Sequence, residues 1–132
     1  MAPQKSYSLE TLFRALADPT RLRLLNLMNG CQEVCVCYFV EILKSSQPKI
    51  SRHLAYLRRA GIVAARREGK WMHYRLVPPP SHASAAILEQ TLNALRNDEK
   101  FENDHERLKL ACCQPTRLIS LRSAPLPLHL NP

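Results

Sequence analysis

Apolar positions recur at helical spacing along the first half of the chain, then switch to strand spacing. Leu9, Leu12, Phe13 and Leu16 stand at i, i+3, i+4 and i+7 behind Ser8, a residue suited to cap a helix. Asp18 followed by Pro19 stops that helix near residue 17 and opens a second over 19–29. Leu22, Leu24, Leu25, Leu27 and Met28 make the second helix apolar nearly all round, which predicts a central, buried position. Asn29 and Gly30 end it. A third helix over 36–44 carries Val36, Phe39, Val40 and Leu43 at the same spacing. Ser45 and Ser46 then turn the chain, and Gln47 with Pro48 opens a fourth helix running to about residue 60. Its inward stripe is Ile50, Leu54 and Leu57, and its outward stripe is Lys49, Arg52, His53, Tyr56 and Arg59. Gly61 is the natural stop.

Two extended runs follow, over 62–67 and 71–76, joined by Glu68, Gly69 and Lys70. Met72, Tyr74 and Leu76 alternate with Trp71, His73 and Arg75, so the pair reads as a β-hairpin with a basic tip. Pro78, Pro79 and Pro80 break the chain, and Ser81 caps one long helix expected to reach about residue 112, with Ile87, Leu88, Thr91, Leu92 and Leu95 as its stripe. Residues 114–132 contain four prolines and no helix signal, and are expected to be a disordered tail. The fold class is therefore mostly α with a small β-hairpin, in one domain spanning residues 1–113 of the 132.

Charge sharpens this picture. Lys and Arg number 19 against 11 Asp and Glu, a net charge of +8. Eight of the cations, against a single Glu, fall in residues 46–76. Such a concentration favours a polyanionic partner. No apolar run approaches the roughly 18 residues of a membrane span, and the polar start is not a secretory signal, so a soluble cytoplasmic protein without a membrane partner is expected. Only three glycines exclude a Gly-rich nucleotide fingerprint or a P-loop. Two short helices joined by a tight turn, followed by a basic hairpin, form the winged helix-turn-helix arrangement for double-stranded DNA. In that arrangement Gln47, Lys49, Ser51, Arg52, His53 and Tyr56 meet base edges and phosphates in the major groove. Arg66, Arg67 and Lys70 reach the flanking backbone or minor groove.

The remaining chemistry lies in five cysteines, Cys31, Cys35, Cys37, Cys112 and Cys113. An odd number without a secretory signal argues against a disulfide framework and for soft-metal or redox chemistry. The closely spaced thiols of Cys35 and Cys37 select As(III), Sb(III), Cd(II), Pb(II) or Zn(II) over hard ions. Within a helix, residues i and i+2 point about 200° apart, whereas in an extended conformation they share a side, so ligation by both is expected to unwind or distort the start of the third helix. A thiol enzyme would want Cys-x-x-Cys at a helix start or a cysteine beside a cationic activator, and neither is present. A DNA-binding protein whose cysteines answer to oxidants stays open.

The stretches LFRALADPTRLRLLNLM, VCVC, SSQPKISRHLAYLRRAGIV and GKWMHYRL resemble the ArsR/SmtB family of metal-sensing transcriptional repressors, in its arsenical-resistance branch. The resemblance covers about residues 8–77. It implies a homodimer joined through the first and last helices, bound to operator DNA until an ion releases it. It further implies Gln47, Lys49, Ser51, Arg52 and His53 on the recognition helix, and Arg67, Gly69 and Lys70 on the wing. Cys35 and Cys37 stand where arsenic sensors of the family start their third helix, which implies As(III) or Sb(III) as the inducer. The third cysteine of the best-known sensors is Val40 here, so Cys31 is the expected replacement, with Cys112 and Cys113 as alternatives. The family's zinc pattern on the last helix is not matched: His82 stands near its start, Asp104 and His105 near its end, and nothing suitable between. His105 and His129 are expected to be solvated.

Overall fold

A computed structural model describes residues 8–113 and Pro125. Apart from Pro125, the tail expected over 114–132 lies outside the described residues, as does His129. The elements are α1 (Leu9–Leu16), α2 (Pro19–Met28), β1 (Val34–Cys35), α3 (Val36–Leu43), α4 (Gln47–Arg59), β2 (Val63–Glu68), β3 (Trp71–Leu76), α5 (His82–Arg96) and α6 (Glu99–Cys113). Four helices start as their cap residues dictate. Ser8, Asp18, Ser46 and Ser81 accept the backbone N–H of Thr11, Arg21, Lys49 and Ser84 at 3.4, 3.0, 3.4 and 3.0 Å.

The core is one cluster to which α1 gives Leu12, α2 gives Leu24, Leu25 and Leu27, α3 gives Tyr38 and Phe39, and α4 gives Ile50, Leu54 and Leu57, all fully buried. Helix α2 is central, as its apolar circumference requires, and packs against every other helix. Its buried Asn26 is satisfied by donating from Nδ2 to the Phe101 carbonyl at 2.8 Å. The hairpin closes through the two residues Gly69 and Lys70, between the paired Glu68 and Trp71. Gly69 takes φ +59°, the positive value a two-residue turn of this hand needs at its first central position.

The structure departs from expectation in three places. First, Val34 and Cys35 form a third strand, so the wing is a three-stranded antiparallel sheet in the order β1-β3-β2, with Val34 opposite Tyr74 and Cys35 opposite His73. Two residues are too few to show period-2 alternation, and their partner lies far along the chain. Second, the expected single helix over 82–112 is broken at Asn97 and Asp98. Asp98 starts α6: its carboxylate accepts the Lys100 N–H at 3.0 Å and its carbonyl the Glu102 N–H at 3.0 Å. The break folds α6 back against α2 and α3 and buries Phe101, Leu108 and Ala111, which a straight helix would carry away from the core. A bidentate pair fixes it there, Arg23 Nε and Nη2 donating to Asp104 at 2.6 and 2.9 Å. Third, this packing half-buries His105, which was expected in solvent, and desolvation lowers its imidazole below the usual range.

Candidate nucleic-acid interface and thiol site

Helix α4 presents the surface its outward stripe describes. Gln47, Lys49, Arg52 and Arg59 are exposed, while Ser51, His53 and Tyr56 are half-buried at the foot of the stripe. A shallow groove runs between them, lined by Lys49, Arg52, His53, Tyr56 and Arg59 with Arg21 from α2. Sequence reasoning missed Arg21. Its guanidinium lies 4.2 Å from the centre of the Tyr56 ring, a cation–π contact, and it donates to the carbonyls of Ala15 and Arg14 at 2.8 Å each. Those carbonyls belong to the last turn of α1, which a nearby cation satisfies. Its position a few residues beyond a helix end was the available signal.

His53 turns toward α2, with Nδ1 at 3.5 Å from Arg21 Nη1 and 3.8 Å from Asp18 Oδ1. Burial lowers its pKa first, with Arg21, Lys49 and Arg52 adding to the effect against Asp18, so the ring is neutral at neutral pH. Burial works to raise the Asp18 carboxyl, but the Arg21 N–H bond and the His53 and Arg21 charges outweigh it and hold the group low.

On the wing, Arg67 and Lys70 are exposed, and Lys70 Nζ lies 5.0 Å from the Trp71 ring centre. Arg66 is placed differently. Its Nε donates to both Glu33 oxygens at 3.1 Å, and its Nη1 to Glu68 at 3.1 Å. Counting its charge on the DNA side overlooked this partnership.

The thiol site occupies the join of β1 and α3. Cys35 ends the strand and caps the helix with extended dihedrals, φ −69° and ψ 142°. It is therefore not helical with respect to Cys37, and the Cys37 thiol donates to Cys35 Sγ at 3.1 Å while α3 is intact from Val36. Cys35 is thus already extended, the arrangement in which the two thiols share a side. With metal–sulfur bonds of about 2.3 Å, two sulfurs on one ion lie roughly 3.3–3.8 Å apart, so a small opening of the pair suffices. The hydrogen bond from Cys37 lowers the buried Cys35 thiol to about 7, and the Cys37 and Val36 N–H groups at the helix start push the same way. Cys37 is driven far up, first by donating to Cys35.

Cys31 Sγ points to the Leu27 carbonyl at 3.6 Å, and burial pushes it up to about 11. Cys112 is half-buried on α6, and Cys113 ends that helix. Tyr38 is the common neighbour. It is fully buried with an unpartnered hydroxyl, held well above the usual phenol range first by burial and then by the Cys112, Cys37 and Cys35 charges. Among the described residues no three His, Cys, Asp or Glu side chains already converge on a metal position.

A basic recognition helix, a buttressed wing and a helical core define a winged helix-turn-helix regulator of transcription. The model of the bacterial regulatory proteins of the arsR family matches residues 18–65. The arsenical resistance operon repressor of Escherichia coli K12 is 48% identical over 79 residues, 60% of this chain and 68% of that protein. The arsenic resistance transcriptional regulator ArsR2 of Pseudomonas putida KT2440 is 41% identical over 106 residues, 80% of this chain and 90% of that one. Among solved structures, the transcriptional repressor BigR from Xylella fastidiosa superposes with a TM-score of 0.54 at 34% identity, covering 67% of this chain and 82% of that one. The chain belongs to the arsR family. It is a transcriptional regulator and not an enzyme. Among the described residues no helix is long and apolar enough to cross a membrane.

Proposed function

We propose that this protein is a cytoplasmic, metalloid-responsive repressor that binds operator DNA as a homodimer and leaves it when As(III) or Sb(III) binds its thiolates. The observation that carries the reading is the Cys35–Cys37 pair, with sulfurs 3.1 Å apart at the start of the helix that precedes the recognition helix. A soft pair of sulfurs, the Cys35 one partly ionised and the Cys37 one protonated, suits a soft metalloid. The names of the Escherichia coli and Pseudomonas putida relatives support arsenic. DNA contacts fall to Gln47, Lys49, Ser51, Arg52, His53 and Tyr56 on α4, and to Arg67 and Lys70 on the wing. The dimer is supported by Leu9 and Phe13 of α1, large apolar side chains that are 45% and 52% exposed.

For the third thiolate, Cys112 is favoured over Cys31. Helix α6 packs on α3, and the Cys112 charge reaches Tyr38 as the Cys35 and Cys37 charges do, whereas Cys31 Sγ is turned to the Leu27 carbonyl. A second reading, release by thiol oxidation, is favoured by the contact between Cys37 and a Cys35 thiol lowered to about 7.

One experiment separates them: anisotropy of labelled DNA from upstream of the gene, titrated with As(III), Sb(III), Cd(II), Pb(II), Zn(II) and peroxide. Release by the two metalloids at the lowest concentrations is expected. Release by peroxide alone assigns the protein to the second reading, and release by Cd(II), Pb(II) or Zn(II) alone overturns the metalloid assignment.

A further inference from the structure

Arg66 lies at the centre of an arrangement that the proposed DNA contacts leave unexplained. In the three-stranded sheet, Cys35 of β1 stands opposite His73 of β3, and His73 stands opposite Arg66 of β2. The three residues form one row across the sheet. Opposed residues of neighbouring strands point their side chains to the same face. A thiol of the sensor pair and an arginine of the wing thus share a face, one strand apart.

Charge closes the row at both ends. Glu33, two residues before Cys35, is 9% exposed and takes the Arg66 guanidinium on both carboxylate oxygens. Glu68, the last residue of β2, takes the same guanidinium at 3.1 Å and lies 3.9 Å from His73 Nε2. That ring nitrogen is buried without a hydrogen-bond partner. The segment entering the thiol site is therefore joined to the wing by two strand pairs and by a bidentate ion pair on a largely buried carboxylate.

This geometry can carry a signal. Opening the sulfur pair to admit an ion moves Cys35, and Cys35 cannot move without its neighbours in β1. Glu33 then drags or releases Arg66, whose strand carries Arg67 and leads to Lys70 at the tip. A side chain occupied by two carboxylates is also a poor phosphate ligand.

Resting on the proposed release by a thiol-bound ion, we infer that Arg66 is a positioning residue that transmits occupancy of Cys35 and Cys37 to the wing through its clasp on Glu33. It is not a DNA contact.

The test measures two ratios in Glu33→Gln, Arg66→Met and the double variant. One is DNA affinity without and with As(III); the other is amide exchange over β2 and β3 in the protein alone, without and with As(III). Glu33→Gln should keep ion-free DNA affinity within about threefold of wild type, yet lose at least tenfold of the As(III) effect on DNA. Arg66→Met should lose as much, and the double variant no more than either, since both act through one contact. As(III) should alter wing exchange in wild type and leave it unchanged in each variant. The inference is overturned if Arg66→Met keeps the wild-type wing response, or if its salt slope falls by about 1 while its As(III) effect stays intact, the signature of a lost phosphate contact. A wild-type wing that responds to As(III) while DNA stays bound overturns the repressor reading and leaves the clasp standing.

Discussion

The recognition surface and the thiol site are joined through one helix, α3, but they are built in opposite ways. On α4 the cations are exposed and set before any ligand arrives. Arg21 spans the end of α1 and the face of Tyr56, and His53 is held neutral against α2. The thiol site is unfinished. Two sulfurs touch, no third donor joins them among the described residues, and the buried Tyr38 hydroxyl that feels their charges has no partner. A rigid reader needs little reorganisation to bind, so its affinity comes from charge already in place. An incomplete sensor does the reverse. Its ligation energy is available to move whatever must shift to complete it.

The sharpest way to break that comparison is to disable one region and ask whether the other notices. Cys35→Ser and Cys37→Ser should each abolish release by As(III) while leaving DNA affinity within about threefold, because a hydroxyl is a harder donor and neither residue carries phosphate-binding charge. Anisotropy on operator DNA checks this, and normal release by both variants would make the pair structural. Next in size, Arg52→Ala should weaken operator binding by about 1–3 kcal/mol, the worth of a base contact, with As(III) stoichiometry unchanged.

Asp104→Ala bears on whether α6 belongs to the sensor. Removing one partner of a buried ion pair costs about 3–5 kcal/mol, and less here because Arg23 is part-exposed and can rehydrate. We expect a loss of about 1–3 kcal/mol in denaturant unfolding, with weaker As(III) binding and unaltered DNA contacts in the folded protein. If Cys31→Ser and not Asp104→Ala weakens As(III) binding, the site is confined to the segment before α3.

The smallest effect concerns protons. Thiolate is the reactive form, so iodoacetamide labelling of the buried Cys35, slow because it waits on opening of the site, should turn on as pH climbs through about 7, while that of Cys31 turns on only near 11. As(III) arrives as neutral As(OH)3 and each thiol proton leaves with a hydroxyl as water, so its affinity should stay nearly flat as pH approaches about 7, whereas that of Cd(II), which displaces protons, should rise over the same range. Mass spectrometry of the labelled peptides checks the order, and Cys31 labelling first would reverse the assignment.

What could be read from the chain follows the same divide. Helices α1 to α4 and the hairpin lie within a residue or two of their expected bounds, because caps, apolar spacing and turns are local signals. The outward basic stripe of α4 was legible for the same reason. Strand β1 was not, since it exists only through pairing with Tyr74 and His73. Contact of the Cys35 and Cys37 sulfurs was hidden with it, for it depends on Cys35 being strand and cap at once. The break at Asn97 and Asp98 was legible and passed over: a capping residue followed by Glu99 and Glu102 is a helix start. Arg66 and Arg67 are indistinguishable in a charge count, and only the structure shows which of them is taken.

The two bonds from Arg21 to the end of α1 have a mechanical consequence. Helix α1 bears the exposed Leu9 and Phe13, and the same guanidinium that grips its last carbonyls lies on Tyr56 of α4. In a two-fold dimer joined through α1, Phe13, Arg21 and Tyr56 therefore form a short, stiff lever from the symmetry axis to each recognition helix. The distance between the two helices is then set by the tilt of α1 against its copy. A change of a few degrees at the axis, with every local contact kept, would put the pair out of step with successive major grooves, which lie about 34 Å apart.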